Sequence, residues 1–186
     1  MQLEGYVNAS WADNPDDRRS TCGLLFSFGG GLVFWKSGRQ SLVAHSTTES
    51  EYIALSVAAR EAAALRRLVL EVLQQQHGPI EIYEDNQPAI DLLQKPPGAD
   101  SRTKHMDVRF HYIRQEVNRG AITVVKIPTE HQAADGLTKP LDRSSTLRSS
   151  SSSASSIATA LSITTVEWEL TIDSLEVDDL TQLQHL

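Results

Sequence analysis

The chain has 186 residues, of which 40% are apolar and 22% charged, and its net charge is −7. This length suits one ordinary domain with an appendage. No apolar run approaches the roughly 20 residues of a membrane span, and residues 1–5 lack the basic region and apolar block of a secretory signal. The single cysteine, Cys22, excludes an intramolecular disulfide and a cysteine-based zinc site. We therefore expect an intracellular protein, cytoplasmic or nuclear, that is neither secreted nor in a membrane.

The negative charge is concentrated at the carboxyl end of the chain. From Ser144 onward there is one arginine against six acidic residues, so five of the seven net negative charges lie there. The preceding part carries a net charge of only −2 and contains local basic clusters. The overall charge therefore does not exclude a polyanionic partner such as nucleic acid.

The first third of the sequence predicts three strands. Gly5–Trp11, Thr21–Phe28 and Leu32–Lys36 are apolar segments of strand length. Gly29–Gly31 supplies the positive-φ freedom of a tight hairpin turn, and no Gly-Lys-Ser/Thr follows it, so a phosphate-binding loop is disfavoured. The dense turn cluster Asp13–Asp17 separates the first two strands.

A long amphipathic helix is predicted over residues 48–73. Its start, Ser46–Leu55, carries hydroxyl side chains that can accept from unpaired backbone N–H groups, followed by acidic residues in the first turn. Apolar residues then recur at three- and four-residue steps and predict one buried face: Tyr52, Leu55, Ala59, Ala62, Leu65, Val69 and Val72. Trp11 and Trp35 are interpreted as core residues of the sheet.

The remaining elements alternate between strand and helix. We predict a strand at Ile80–Tyr83, a helix at Gln87–Leu93, a helix around His105–Val117, a strand at Ala121–Ile127 and a last helix within Glu130–Leu137. The pattern predicts an α/β fold in which the first strands pair antiparallel and the later ones need helical crossovers.

The composition changes abruptly after Arg143. Ser144–Ser156 is dominated by serine and cannot bury enough apolar surface to offset the entropy of ordering. We therefore divide the chain into a folded domain, residues 1–143, and a serine-rich, low-complexity linker with an acidic tail, residues 144–186, which we expect to be disordered.

Three acidic residues lie at predicted ends of elements: Glu51 at a helix start, Asp85 after a strand and Asp135 near the last helix. Acids brought together at such ends of an α/β fold are how proteins hold Mg²⁺, a hard cation that takes oxygen ligands. Taken singly, Glu49 and Glu51 are explained as well by complementing the helix dipole.

Five motifs in order resemble the ribonuclease H domain of copia-type LTR retrotransposon Pol polyproteins. The resemblance runs from about Gly5 to Arg143 and rests on these segments: Trp11 with Asp16–Thr21, Ser46–Leu55, Tyr83–Ile90, Arg102–Asp107 and Ala134–Leu141. The polymerase part of such polyproteins, the reverse transcriptase, has no counterpart in the sequence.

The resemblance implies a ribonuclease H-like, five-stranded mixed sheet flanked by helices. It also implies an endonuclease that uses two Mg²⁺ ions to cleave the RNA strand of an RNA–DNA hybrid. Three of the family's four catalytic and metal-binding acids carry over, as Glu51, Asp85 and Asp135.

The fourth acid does not carry over. Asn8 stands where the family has a metal-binding aspartate, and Ser10 replaces a second acid of the same strand. Two divalent ions about 4 Å apart repel by roughly 16 kcal/mol at an effective dielectric constant of about 20. An amide brings no charge to offset that repulsion, so we expect a degenerate site with weak metal pairing and hydrolysis impaired by several orders of magnitude. Asp13 is no obvious substitute, because it lies beyond Trp11 in the turn cluster.

Basic residues cluster around the third helix and could meet phosphates: Arg102, Lys104, His105, Arg109 and Arg119. Nucleic-acid binding is predicted for the first four of them. A solvated helix face explains these residues equally well. Three hypotheses follow for the chain: a ribonuclease H-derived enzyme with a weakened site, a non-catalytic module that binds nucleic acid or protein, or a relic fragment without function.

Overall fold

The computed structural model describes residues 2–74, 78–94 and 107–138, and of residues 107–111 only the backbone. Five strands and three helices follow in the order β1 (Leu3–Ser10), β2 (Thr21–Phe28), β3 (Gly31–Arg39), α1 (Thr47–Leu73), β4 (Ile80–Glu84), α2 (Gln87–Gln94), α3 (Asp107–Asn118) and β5 (Ile122–Lys126). Two short 3₁₀ helices, Thr129–His131 and Ala133–Leu137, complete the described chain. The predicted strands and the three longer helices are confirmed, most of them with small differences at their ends.

The strands form one mixed sheet in the order β3-β2-β1-β4-β5. β1, β2 and β3 are antiparallel neighbours, whereas β4 runs parallel to β1 and β5 parallel to β4. The carboxyl ends of β1, β4 and β5 therefore lie at one edge of the sheet, which we call the carboxyl edge. The α/β class with a five-stranded mixed sheet, expected from the resemblance, is confirmed.

The amino-terminal half of α1 covers the sheet and forms its core. Tyr52 and Leu55 are buried there, and small residues such as Ala58, Ala59 and Ala62 permit close approach of the helix. They pack in one core with apolar residues from four strands: Val7, Leu24, Phe26, Ile82 and Ile122. This packing fixes the start of α1, and with it Glu51, against the carboxyl edge.

Two expectations about apolar burial are wrong. The buried face of α1 ends at Ala63; Leu65 and Val69 are only partly buried, and Val72 is 69% exposed. Trp11 and Trp35 are also about half exposed rather than core residues. The reason for Trp35 is that β3 is an edge strand with largely exposed side chains. Trp11 follows β1 and donates its indole N–H to the carbonyl of Ala44 (3.0 Å).

The predicted last helix is instead a pair of 3₁₀ helices separated at Gln132. The buried side chain of Gln132 donates to the backbone carbonyls of Val7 (2.9 Å) and Tyr83 (3.3 Å), and its carbonyl accepts from Ala134 N–H (3.2 Å). These bonds interrupt a regular helix and tie the segment to the carboxyl ends of β1 and β4.

Among the described residues, no helix combines the length and apolar character needed to span a membrane. Residues 144–186 lie outside the described residues, so the linker and acidic tail remain predictions from sequence.

Candidate metal and nucleic-acid site

The start of α1 separates the roles of its two acidic residues. Ser46 has extended backbone angles and accepts the N–H of Glu49 through its hydroxyl (3.1 Å), as the hydroxyl-rich start predicted. The Glu49 carboxylate reaches back to the N–H of His45 (2.8 Å). Glu49 is thus a capping residue, whereas Glu51, two residues on, is buried with only 6% exposure and faces the sheet.

Glu51, Glu84 and Asp85 form a cluster that we call the acidic triad. One carboxylate oxygen of each lies within 4.8 Å of the others. Glu84 is the last residue of β4 and Asp85 follows it, so the strand end delivers both to the start of α1. Glu51 and Asp85 were predicted at this site from sequence, but Glu84 was not; its position beside Asp85 at the end of a strand was the available signal.

The acidic triad is electrostatically unfavourable as it stands. Burial raises the pKa of Glu51, and the charges of Glu84, Asp85 and Asp135 raise it further, against the opposing effect of the Ala9 N–H. Burial likewise raises the pKa of Glu84, although the Asn86 N–H lowers it. Two ionised carboxylates 4.8 Å apart repel by about 3.5 kcal/mol at an effective dielectric constant of about 20. The cluster therefore needs either protons or a cation.

Two buried oxygens of the acidic triad lack a hydrogen-bond donor among the described residues, Glu51 Oε2 and Glu84 Oε2. Buried carboxylate oxygens without donors are costly unless a cation neutralises them. Three carboxylates converging on one point also match the oxygen ligands that Mg²⁺ and similar hard cations take. The residues present therefore fit a divalent cation at this half of the site.

Asp135 lies beside Asn8, on the other half of the site. Asn8 Nδ2 donates to Asp135 Oδ1 (2.9 Å), and Asn8 Oδ1 accepts the N–H of Ala9 (2.8 Å). The carboxylate can only accept and the backbone N–H can only donate, so these partners fix the orientation of the amide. We call this the Asn8–Asp135 pair; its two hydrogen bonds form without a cation.

The absence of a side chain at Gly23 permits the close approach of the 3₁₀ helix that carries Asp135. Gly23 lies opposite Asn8 in the β1–β2 register, and a Cβ atom there would come within 2.8 Å of the Ala134 carbonyl oxygen and of Leu137 Cβ. Together with the Gln132 bonds, this close approach holds the 3₁₀ helix that carries Asp135 against the sheet.

The structure thus brings Glu51 and Asp85 into one cluster and places Asp135 next to Asn8. Asp13 is confirmed as a turn residue, because its carboxylate accepts from the N–H and hydroxyl of Thr21 (3.1 and 2.8 Å). Arg102, Lys104 and His105 lie outside the described residues, and Arg109 is in the part of α3 whose side chains are not described.

Arginines also lie at the carboxyl edge, a feature that was not predicted from sequence. β2 starts and β3 ends there, because Ser10 pairs with Thr21 and Thr21 pairs with Arg39. Arg39 and Arg19 both approach the carboxylate of Asp17 (3.8 and 3.7 Å) and remain largely exposed. They are additional candidates for phosphate contacts.

Comparison with known proteins yields retrotransposon relatives that span most of the chain. It is 43% identical over 141 residues to the retrovirus-related Pol polyprotein from transposon TNT 1-94 of Nicotiana tabacum, and 38% identical over 144 residues to that from transposon RE2 of Arabidopsis thaliana. These matches cover 76% and 77% of the chain but only 10% of each polyprotein. No family model matches the chain.

Solved structures with the same fold include ribonucleases H. LC11-RNase H1, isolated from compost by a metagenomic approach, superimposes with a TM-score of 0.53 at 19% identity, covering 73% of this chain and 91% of that one. Its complex with an RNA/DNA hybrid gives a TM-score of 0.51 at 16% identity over 73% and 93% of the two chains. The likeness establishes the fold. The chain is homologous to one stretch, about a tenth, of copia-type retrotransposon Pol polyproteins, and the stretch that it shares with them has the ribonuclease H fold.

Proposed function

We propose that the domain binds RNA–DNA hybrids at its carboxyl edge as a ribonuclease H-type hydrolase whose cleavage of the RNA strand is severely reduced. One observation carries the proposal: Asn8 directs an amide donor at Asp135 (2.9 Å) where the family has a carboxylate. The kinship with Pol polyproteins and the ribonuclease H fold support the substrate class. Since such hybrids occur inside cells, an intracellular location accompanies the proposal.

The residues proposed to hold divalent cations are Glu51, Asp85 and Asp135. When bound at such a site, Mg²⁺ supplies an activated water and stabilises the charge on the leaving oxygen. Glu51 and Asp85 are held for this task by packed elements, α1 and the end of β4. Rigid placement matters because small displacements of reacting groups cost rate steeply.

Asn8 weakens the other half of the site in two ways. It contributes no negative charge, and its donor edge occupies one of the two carboxylate oxygens of Asp135, Oδ1. Turning the amide around would give up both the bond to Asp135 and the bond to the Ala9 N–H. Hydrolysis should therefore fall by several orders of magnitude, because the second cation loses a charged ligand.

Hybrid binding depends on groups that Asn8 does not touch. Arg102, Lys104, His105 and Arg109 are proposed to contact phosphates, with Arg19 and Arg39 as further cations at the carboxyl edge. Phosphate contacts supply most of the affinity of proteins for nucleic acid and position the substrate for the acids.

The proposal is tested by Mg²⁺-dependent cleavage of a labelled hybrid by the wild type and the Asn8→Asp variant. We expect Asn8→Asp to increase cleavage by several orders of magnitude. Asn14→Asp is the matched control, because it makes the same change at a buried turn residue. The side-chain oxygen of Asn14 accepts the N–H of Asp16 (2.8 Å), and an aspartate oxygen can accept it as well. Equal cleavage by wild type and Asn8→Asp would contradict the proposal.

A second candidate is a binding module without catalysis. It is favoured by the Asn8–Asp135 pair, in which an amide donor rather than a cation engages Asp135 Oδ1. In that case hybrid affinity is unchanged by a chelator, and Asn8→Asp restores no cleavage. A filter-binding measurement in EDTA, run beside the cleavage assay, separates the two candidates.

A further inference from the structure

Glu84 is a fully buried acid, and it is not one of the three acids that the family resemblance assigns to the site, which are Glu51, Asp85 and Asp135. Its exposure is 0%, and one of its carboxylate oxygens lies within 4.8 Å of oxygens of Glu51 and Asp85. A side chain so placed requires an explanation, because burying a charge is expensive unless it is paired.

Local structure accounts for only one of its two oxygens. Glu84 Oε1 accepts the N–H of Asn86 (2.9 Å) and so shapes the turn from β4 into α2. Glu84 Oε2 has no hydrogen-bond partner among the described residues. A neutral glutamine would serve the turn equally well, so the turn does not explain the charge.

Lys126 is the nearby cation that acts electrostatically on Glu84, yet its donors serve other groups. Its ammonium group donates to the backbone carbonyls of Asp85 (2.6 Å) and Ile127 (2.8 Å). It holds the strand ends of β4 and β5 together rather than capping Glu84 Oε2. The second carboxylate oxygen therefore remains available to a ligand within the acidic triad.

We propose that Glu84 is a ligand of a divalent cation and that the acidic triad alone forms a complete one-cation site. This inference rests on the proposed function and deepens it. Asn8 removes a carboxylate from one half of the site, and Glu84 adds a carboxylate to the other half. Cation binding then survives in this chain although the pairing of two cations is lost.

Calorimetric titration of the full chain with Mn²⁺, without nucleic acid, tests this inference. We expect the wild type to bind one Mn²⁺ and Glu84→Gln to weaken its affinity on the order of tenfold or more, since the number of charged ligands tunes the affinity of such sites. Glutamine keeps the acceptor for the Asn86 N–H, so circular dichroism should show a folded variant.

The matched control is Glu116→Gln. Glu116 is also buried (2% exposed), but it forms an ion pair with Arg119. It lies near the end of α3 and the start of β5, and therefore away from the carboxyl edge. This variant should bind Mn²⁺ as the wild type does. Equal affinity of wild type and Glu84→Gln, or no binding by the wild type, would overturn the inference.

A second measurement needs no variant. Mn²⁺ broadens amide NMR signals near its site, so the amides of Asp85 and Asn86 should broaden at the lowest Mn²⁺ concentrations. Broadening centred on Asp135 instead would place the cation elsewhere and overturn the role of Glu84. Because both measurements omit the hybrid, failure of the proposed function appears separately, as absence of cleavage by Asn8→Asp.

Discussion

The two halves of the site satisfy their polar groups in opposite ways. In the acidic triad, buried carboxylate oxygens of Glu51 and Glu84 lack donors among the described residues, and burial and neighbouring charges raise the pKa of Glu51. In the Asn8–Asp135 pair, an amide donates to the carboxylate and accepts from the backbone. The triad thus leaves buried carboxylate oxygens for a cation or for protons, whereas in the pair Asp135 Oδ1 already accepts a hydrogen bond.

Under the proposed function, this difference would allow one amide to separate cation binding from catalysis. In the proposal, position 8 is a ligand position at which Asn8 makes a hydrogen bond to Asp135 instead, while the three carboxylates of the triad are retained. We therefore expect the triad to govern cation affinity and residue 8 to govern turnover.

The largest effect is expected from a double variant, Asn8→Asp with Asp85→Asn. Cleavage gained by Asn8→Asp should be lost again by several orders of magnitude, because Asp85 supplies a charge that the second aspartate cannot replace. Single-turnover cleavage and hybrid affinity, measured on the same samples, check this. Cleavage that persists in the double variant would remove Asp85 from the site.

The next effect is a pH dependence of the free energy of unfolding in EDTA. The pKa of Glu51 is raised in the folded state above its usual 4.5. Between about pH 5 and 7.5 the folded chain therefore holds a proton that the unfolded chain has released, and stability falls as the pH rises.

Glu51→Gln should remove this loss of stability and should be more stable than the wild type by about 3 kcal/mol at about pH 7.5, with a smaller difference near pH 5. Urea unfolding at the two pH values measures it. A wild type that is more stable than Glu51→Gln at the higher pH in EDTA would show that the triad is not strained by its charge.

A smaller effect is expected for Asn8→Ala in EDTA. It removes the donor to Asp135 and the acceptor for the Ala9 N–H, which should cost about 1–2 kcal/mol of stability. Chemical denaturation provides the value, and Mn²⁺ affinity should stay near that of the wild type. A large decrease in Mn²⁺ affinity would mean that Asn8 belongs to the cation site after all.

The smallest effect concerns the basic residues. Changing Arg102 and Lys104 to alanine should weaken hybrid binding several-fold and reduce the salt dependence of the binding constant by about one unit for each phosphate that the variant no longer neutralises. The Arg19→Ala/Arg39→Ala variant is the comparison at the carboxyl edge. An unchanged salt dependence in the first variant would assign those residues to a solvated helix face.

Much of the fold could be predicted because local patterns and packing agree. The turn glycines Gly29 and Gly30 adopt positive φ as the hairpin required, and Ser46 caps the helix that its hydroxyl indicated. Prediction failed where burial depends on which elements pack against a residue. Trp35 lies in a predicted strand, but it is about half exposed because β3 is at the edge of the sheet.

The site was predicted in part for the same reason. Glu51 and Asp85 could be placed from the ends of α1 and β4, and the sequence shows an uncharged amide at position 8. The hydrogen bond from Asn8 to Asp135 spans 127 residues, and the anchoring of that segment depends on the side chain of Gln132. Contacts of this kind follow from the assembled sheet and leave no local pattern.

If Asn8 leaves one cation position intact and disables the other, the wild type and the Asn8→Asp variant should differ in the number of cations that they bind. Electron paramagnetic resonance can count bound Mn²⁺ on the hybrid-bound wild type and on the hybrid-bound Asn8→Asp variant. We predict one ion per chain in the wild type and two in Asn8→Asp. Two ions in the wild type, or one in both proteins, would contradict this division of the site.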